Sequence, residues 1–192
     1  DSLTLIGGGD PDSIQLQTDI VLTINASTNG AVDLTLNADV IGVVNGNMGD
    51  ITPIGDGTGD ALTINSSGAT DFNGSVSTAS GIVQAGGAGT VTFNDDVFTG
   101  AGDTGNVFNA NVVLTDMTFE SQQNVTFGDA GADTLVIQGG DVFINTTGAT
   151  GAGVLDGVVT INSTTTLGDA ASNGNLTVEA GDNNIVVNGA ID

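Results

Sequence analysis

The sequence predicts an all-β chain wound as a β-solenoid, and three observations carry that prediction. An apolar–Thr–apolar triplet recurs along the chain, usually followed by Asn or an acid. Clusters of turn residues such as "STNG", "GDGTGD", "AGGAG" and "TTGATGAG" separate the triplets. Aromatic residues make up only 4% of the chain, which suits a narrow core that stacks aliphatic side chains in ladders.

The triplets occur in order as Leu22-Thr23-Ile24, Leu34-Thr35-Leu36, Leu62-Thr63-Ile64, Val91-Thr92-Phe93, Met117-Thr118-Phe119, Val125-Thr126-Phe127, Val159-Thr160-Ile161 and Leu176-Thr177-Val178. Alternation with period two places the apolar pair on one face and Thr on the other, the signature of a half-buried strand. Thr and Val are β-branched and suit a pleated surface. The Asn or Gly that follows marks where the strand turns. A second short strand follows within a few residues, as in "LTINSSGATDFNGSV" and "DTLVIQGGDVFINTT". That rhythm predicts two or three strands per coil and coils of roughly 20–30 residues. Gly is too frequent, and Glu, Lys, Gln and Arg too rare, for any helical stripe. The alternative is a β-sandwich pilin-like subunit, although a sandwich normally carries bulkier residues between its sheets. The chain reads as one repetitive β domain over 1–192, or a segment of a longer repeat protein. Its least regular stretch, 39–60, reads as a loop between an N-terminal strand group and the main array.

Composition closes several functional classes. The 192 residues include 23 acids and no Lys, Arg or His, for a formal charge of −23. Side-chain salt bridges are therefore impossible, and carboxylates must be solvated, hydrogen-bonded to backbone N–H groups or neutralised by cations. Nucleic acid is not expected as a partner, because no side chain can neutralise a phosphate. No apolar run approaches the ~20 residues of a membrane span, so membrane insertion is not expected. At 39% hydrophobic residues the chain is rich enough to bury a core rather than stay disordered. It contains no Cys, which forbids disulfides, and the absence of Lys forbids Lys–Asn cross-links. Together with a Gly/Asn/Thr-rich composition this points to an extracellular or cell-surface protein. No signal peptide precedes Asp1, which reads as a mature product or an excised piece.

Two stretches, 81–153 (beginning "GIVQAGGAGTVTFNDDVFTG") and 174–192 ("GNLTVEAGDNNIVVNGAID"), resemble the β-strand repeats of giant bacterial surface proteins. These are of the filamentous-haemagglutinin and autotransporter-adhesin type. The resemblance rests on repeated composition, covers most of the chain from Leu62 onward and extends more weakly to its start. It implies a right-handed parallel β-helix exported to the cell surface, with a role in adhesion, matrix or filament building.

Candidate sites are few. Without His, Lys, Arg, Cys or Tyr, a general acid–base site must come from Asp and Glu alone. Asp95 with Asp96, and Asp116 with Glu120, are nominal carboxylate pairs, but the expectation is solvated turn carboxylates and no enzyme. Calcium is the sharper hypothesis. "GDAGADTLV", 128–136, fits the nonapeptide G-G-x-G-x-D-x-U-x except that Asp129 replaces the second Gly; "GGGDPDSIQ", 7–15, fits except that Asp10 replaces the fourth-position Gly. In that repeat, turn carbonyls and the Asp carboxylate supply hard oxygen ligands. Asp10, Asp12, Asp129 and Asp133 are therefore the candidate Ca²⁺ ligands. Each copy is solitary, and the competing reading is a Gly-rich turn whose Asp accepts backbone N–H bonds. Asn-x-Ser/Thr triplets begin at Asn25, Asn65, Asn73, Asn124, Asn145, Asn162 and Asn175 and would accept N-glycans in a suitable host. The triplets lack the regular Thr-x-Thr ladder of an ice-binding face. The sequence thus predicts a non-enzymatic extracellular structural protein that self-associates by β-strand stacking into a filament, adhesin or matrix fibre. A Ca-dependent module binding carbohydrate or a host or matrix surface is the rival. Both chain ends read as strand, so each is expected to be covered by more chain of the same kind.

Overall fold

The computed structural model of the protein describes residues 2–4, 13–18, 21–24, 27–38, 41–102, 104–129, 132–147, 157–168 and 174–192. Among them the regular structure is entirely β, and no helix occurs. The described residues wind through eight coils, each visiting the same three faces in the same order. The first coil holds β1 (Ser2–Thr4), β2 (Ser13–Thr18) and β3 (Val21–Ile24), and the second β4 (Ser27–Asn29), β5 (Asp33–Ala38) and β6 (Ile41–Val44). In the third, isolated bridges at Met48 and Ile54 stand in for the first strand, before β7 (Asp60–Ile64) and β8 (Ala69–Phe72). The fourth contains β9 (Val76–Thr78), β10 (Gly81–Gln84) and β11 (Val91–Phe93), and the fifth β12 (Val97–Thr99), β13 (Asn106–Phe108) and β14 (Val112–Thr115). The sixth contains β15 (Thr118–Ser121), β16 (Val125–Phe127) and β17 (Thr134–Gln138), and the seventh β18 (Asp141–Asn145), β19 (Val159–Ile161) and β20 (Thr164–Leu167). The eighth has β21 (Asn175–Glu179), β22 (Ile185–Val187) and a bridge at Ile191.

Three sheets result. The first face carries β1-β4 and, through Met48, the order β9-β12-β15-β18-β21; the second carries β2-β5-β7-β10-β13-β16-β19-β22; the third carries β3-β6-β8-β11-β14-β17-β20. Every strand pairing among the described residues is parallel. This is a β-solenoid. The sandwich alternative fails on that point, because sandwiches of the pilin kind are built largely from antiparallel pairs.

All eight triplets lie in or across the start of a strand, and the apolar pair points inward as the alternation requires. Leu34, Leu62, Val91, Phe119, Val125 and Val159 are fully buried, while Thr35, Thr63, Thr92, Thr126 and Thr160 stay half-exposed on the outer face. The core is not purely an aliphatic ladder, however. Phe72 and Phe93 of the third sheet stack at 5.1 Å, Phe108 and Phe127 of the second at 5.2 Å, and Phe119 of the first meets Phe93, Phe108 and Phe127 edge-on. Each of these rings is fully buried, worth about 1.5–3 kcal/mol of transfer, with about 0.5–1.5 kcal/mol more per aromatic pair.

Coil length varies more than expected. Equivalent residues are 21 apart at Asn73 and Asn94, 28 apart at Asn45 and Asn73, and 34 apart at Asp141 and Asn175. The corners absorb the differences, and the strands keep register. From Ile41 onward, the stretch 39–60 takes part in the winding: it supplies β6, and it buries Val44, Met48 and Ile54. Gly49 permits this. It adopts φ 73°, and a Cβ there would collide with the Ser77 carbonyl oxygen of the next coil.

Candidate functional site

Carboxylates are unevenly distributed around the solenoid. Glu120, Asp141 and Glu179 lie in strands of the first face, and Asp95, Asp96 and Asp116 lie in the corners that lead into it. The third face carries Asp71, in register between Val43 and Thr92. On the second face Asp33 and Asp60 open β5 and β7, and no strand of that sheet from β10 onward contains an acid.

The nominal catalytic pairs are engaged in turn structure. Asp95 Oδ1 accepts the Asp96 N–H at 2.8 Å, and Asp96 Oδ1 accepts the Thr118 N–H of the next coil at 2.7 Å. Asp116 occupies the left-handed region at φ 43°, packed against Gly140. Glu120 points outward in register between Phe98 and Asn145.

Of the candidate calcium ligands, Asp10 and Asp12 lie outside the described residues. Asp129 and Asp133 flank the corner between the second and third faces in the sixth coil. Asp133 Oδ2 accepts the Asp129 N–H at 3.0 Å, so this carboxylate ties the turn together. Thr134 anchors the other side, its N–H and Oγ1 both bonding Asn111 Oδ1 of the coil before. Among the described residues no group of three or more acids is placed to hold a metal ion. Several of the glycan-acceptor asparagines serve the coils as well, while Asn25 lies outside the described residues. Asn73 donates to Asn45 Oδ1 at 2.7 Å and accepts from Asn94 Nδ2 at 2.9 Å, forming an external amide ladder. Asn175 donates to Asp141 Oδ1, and Asn188 to Asn162 Oδ1.

A second polar column lies inside the core, where alternation predicts apolar side chains. Thr78, Thr99 and Ser121 stack in register at the inner end of the first sheet, and Thr146 directly follows β18 in that sheet; all four are completely buried. Thr99 Oγ1 donates to Ser121 Oγ at 2.8 Å, and Ser121 Oγ donates to the Gln123 carbonyl at 3.0 Å. Asn106, 1% exposed, donates to both hydroxyls at 2.9 and 2.8 Å while its Oδ1 accepts the Ile82 N–H at 3.0 Å. These bonds fix how the chain turns from the first face into the second, with no ion pair or disulfide to help. A signal for the column is present in the sequence: "VST", "VFT" and "FES" each place a hydroxyl two residues after an inward apolar side chain.

The eighth coil leaves its inward positions uncovered. Ile185 and Val187 are in register with buried Val159 and Ile161, and Ile191 with buried Thr165, yet they are 47%, 43% and 58% exposed. Leu176 and Val178, in register with buried Val142 and Ile144, are only partly buried. These side chains continue the inward pattern of the seventh coil. Among the described residues no helix is long and apolar enough to cross a membrane. Compared with protein-family models, curated proteins and solved structures, the chain matches none.

Proposed function

We propose that this chain is a non-enzymatic structural protein of the cell exterior, whose coils build or decorate a filament, adhesin or matrix fibre by stacking β-strands end to end. The observation that carries the reading is the ladder itself: three sheets in which every described pairing is parallel and in register, so that each coil is a template for another. A coil of the same pattern laid on Leu176, Val178, Ile185, Val187 and Ile191, whether from the same chain or another, continues all three sheets. Covering the exposed halves of Ile185, Val187 and Ile191 contributes about 1 kcal/mol each, and the new ladder bonds about 1 kcal/mol apiece. Association entropy costs roughly 4–15 kcal/mol, so stacking is concentration-dependent rather than irreversible.

Sedimentation velocity and negative-stain microscopy of residues 1–192 test this. Rods should lengthen with concentration, and Ile185→Asp combined with Val187→Asp should weaken association by about 100-fold or more, the equivalent of roughly 3 kcal/mol. A wild-type chain that stays monomeric across the same range, or that associates no better than the double variant, overturns the reading.

A further inference from the structure

Large apolar side chains are exposed at two kinds of place among the described residues. Leu167, Ile185, Val187 and Ile191 occupy inward positions of the last two coils. The other two, Ile51 and Phe98, stand outward on the first face, 82% and 36% exposed. Register places them on either side of Ser77. Met48 and Ile54 bridge to Val76 and Thr78 of β9, so the excursion 49–53 leaves the sheet opposite Ser77; on its other side Ser77 pairs with Phe98 of β12. The excursion is anchored. Asn29 Oδ1, on a buried side chain, accepts the Ile51 N–H at 2.8 Å and the Thr52 N–H at 3.3 Å, and Gly49 lies close against the Ser77 carbonyl. Ile51 and Phe98 thus wall a groove whose floor is the small side chain of Ser77. The walls stand on the third and fifth coils, about 10 Å apart at about 4.8 Å per coil, the room that one extended chain takes between two strands.

We propose that this groove binds an arginine-bearing extended segment of a basic partner protein. Charge selects the occupant. Asp50 adjoins Ile51, Asp95 and Asp96 lead into β12, and Glu120 is in register with Phe98 on the side away from Ser77. All four are at least partly exposed, and the chain has no Lys, Arg or His to neutralise them. A neutral or acidic occupant would strip water from these carboxylates with nothing in return, whereas a cationic one replaces the lost hydration with ion pairs. The same composition rules out a second copy of this chain, which has no cation to offer. Arginine suits the walls better than lysine. Its planar guanidinium can lie on the outward ring of Phe98 and still reach the Glu120 carboxylate one strand away, about 4.8 Å along the ladder. An apolar residue of the same segment then covers Ile51. Exposed ion pairs contribute little singly, so the two apolar walls decide the affinity. Among the described residues the outward columns of the second and third sheets carry Thr, Val and Asp71 but no exposed large apolar side chain, so neither offers this combination. The groove lies on the side of the solenoid, and its occupancy does not depend on end-to-end stacking.

The chain has no Trp or Tyr, so the fluorescence of a tryptophan-tagged peptide reads binding without background. The probe is a capped peptide of alternating Arg and Val with one terminal Trp, titrated with residues 1–192 at about 0.15 M salt. The same peptide with Glu for Arg is the charge control and should not bind. Ile51→Ser and Phe98→Thr should each weaken binding of the arginine peptide by about fivefold or more, and Glu120→Gln by a similar factor. Asp71→Asn, an equal loss of charge on the third face, should change it by less than about twofold. Ile51→Ser leaves the fold intact, because the excursion is anchored through its backbone N–H and the side chain is almost wholly in solvent. Ile51→Ser and Phe98→Thr both within about twofold of wild type overturn the proposal. So does Asp71→Asn weakening binding as much as Glu120→Gln, because the attraction is then the diffuse field of an acidic chain. So does Phe98-dependent retention of a neutral glucan oligosaccharide while the arginine peptide binds no better than its glutamate counterpart, because the occupant is then a glycan.

Discussion

Asn106→Asp changes one atom, and it should be among the most damaging substitutions in the protein. The wild-type amide donates two bonds, to Thr99 Oγ1 and Ser121 Oγ, and accepts one from the Ile82 N–H. A carboxylate keeps only the last. The hydroxyl hydrogens of Thr99 and Ser121 are already committed, to Ser121 Oγ and to the Gln123 carbonyl, so neither can turn toward the new charge without breaking another bond. A buried, unpaired charge of this kind costs about 3–5 kcal/mol. For a chain of this size each kcal/mol lowers the midpoint by about 2–4 °C, so a drop on the order of 10 °C is expected at pH 7. The deficit is also pH-dependent. Burial raises the folded-state pKa of the introduced Asp above its unfolded value of about 3.9, so the destabilisation is full at neutral pH and fades as pH falls through the folded value. The protonated form can donate one O–H and regain one of the two lost bonds. The assay is urea unfolding of Asn106→Asp, Asn106→Ala and wild type at matched pH between 7 and 4. The gap to wild type should shrink for Asp and stay constant for Ala. An Asp gap below about 1 kcal/mol at pH 7, or one that does not move with pH, refutes the account of the buried hydroxyl column.

Two further outcomes follow from features of the fold. Phe93→Ala removes the ring that touches Phe72, Phe108 and Phe119, and should cost about 3–5 kcal/mol, with amide hydrogen exchange loosening first in coils three to six. Asp133→Ala deprives the Asp129 N–H of its acceptor and should cost about 1 kcal/mol with no loss of a Ca²⁺ heat signal; a calorimetric binding event that disappears in this variant while the fold persists would assign calcium to the turn.

The strands were legible because period-two alternation with a β-branched middle residue leaves little choice of conformation. The assignment of strands to faces was not. The same triplet serves the second sheet at Leu62-Thr63-Ile64, the third at Val91-Thr92-Phe93 and the first at Leu176-Thr177-Val178. A motif that fits any face cannot mark where a coil closes, and for that reason the 34-residue offset at Asn175 exceeds the expected period. The part of 39–60 beyond β6 reads as a loop because its two core side chains, Met48 and Ile54, are each flanked by Gly, Asn or Pro and alternate with no other apolar residue. The buried column was hidden for a chemical reason. Thr and Asn fit outer faces and turns well, so Thr99 and Asn106 resemble surface residues until the neighbouring coils supply their partners. Asp129 and Asp133 lie four residues apart across a single turn, and Asp133 accepts the Asp129 N–H there, the arrangement of the Gly-rich turn that competes with a calcium reading.

The unequal corners bear on how such a molecule responds to tension. Each coil is held to its neighbours by parallel ladders, packing and side-chain hydrogen bonds such as the Asn45–Asn73–Asn94 ladder, with no disulfide to halt extension. Force applied along the chain from one end therefore peels coils singly rather than shearing the whole body at once, as expected for an array in which each unit touches only its neighbours. Releasing the coil between Asn73 and Asn94 frees 21 residues, and the one between Asp141 and Asn175 frees 34. At up to about 3.5 Å per extended residue these are steps of roughly 70 and 120 Å. Corner length thus sets how much slack each rupture yields, while the strands set the force at which it occurs. Lengthening a corner would make the solenoid more extensible without making it weaker.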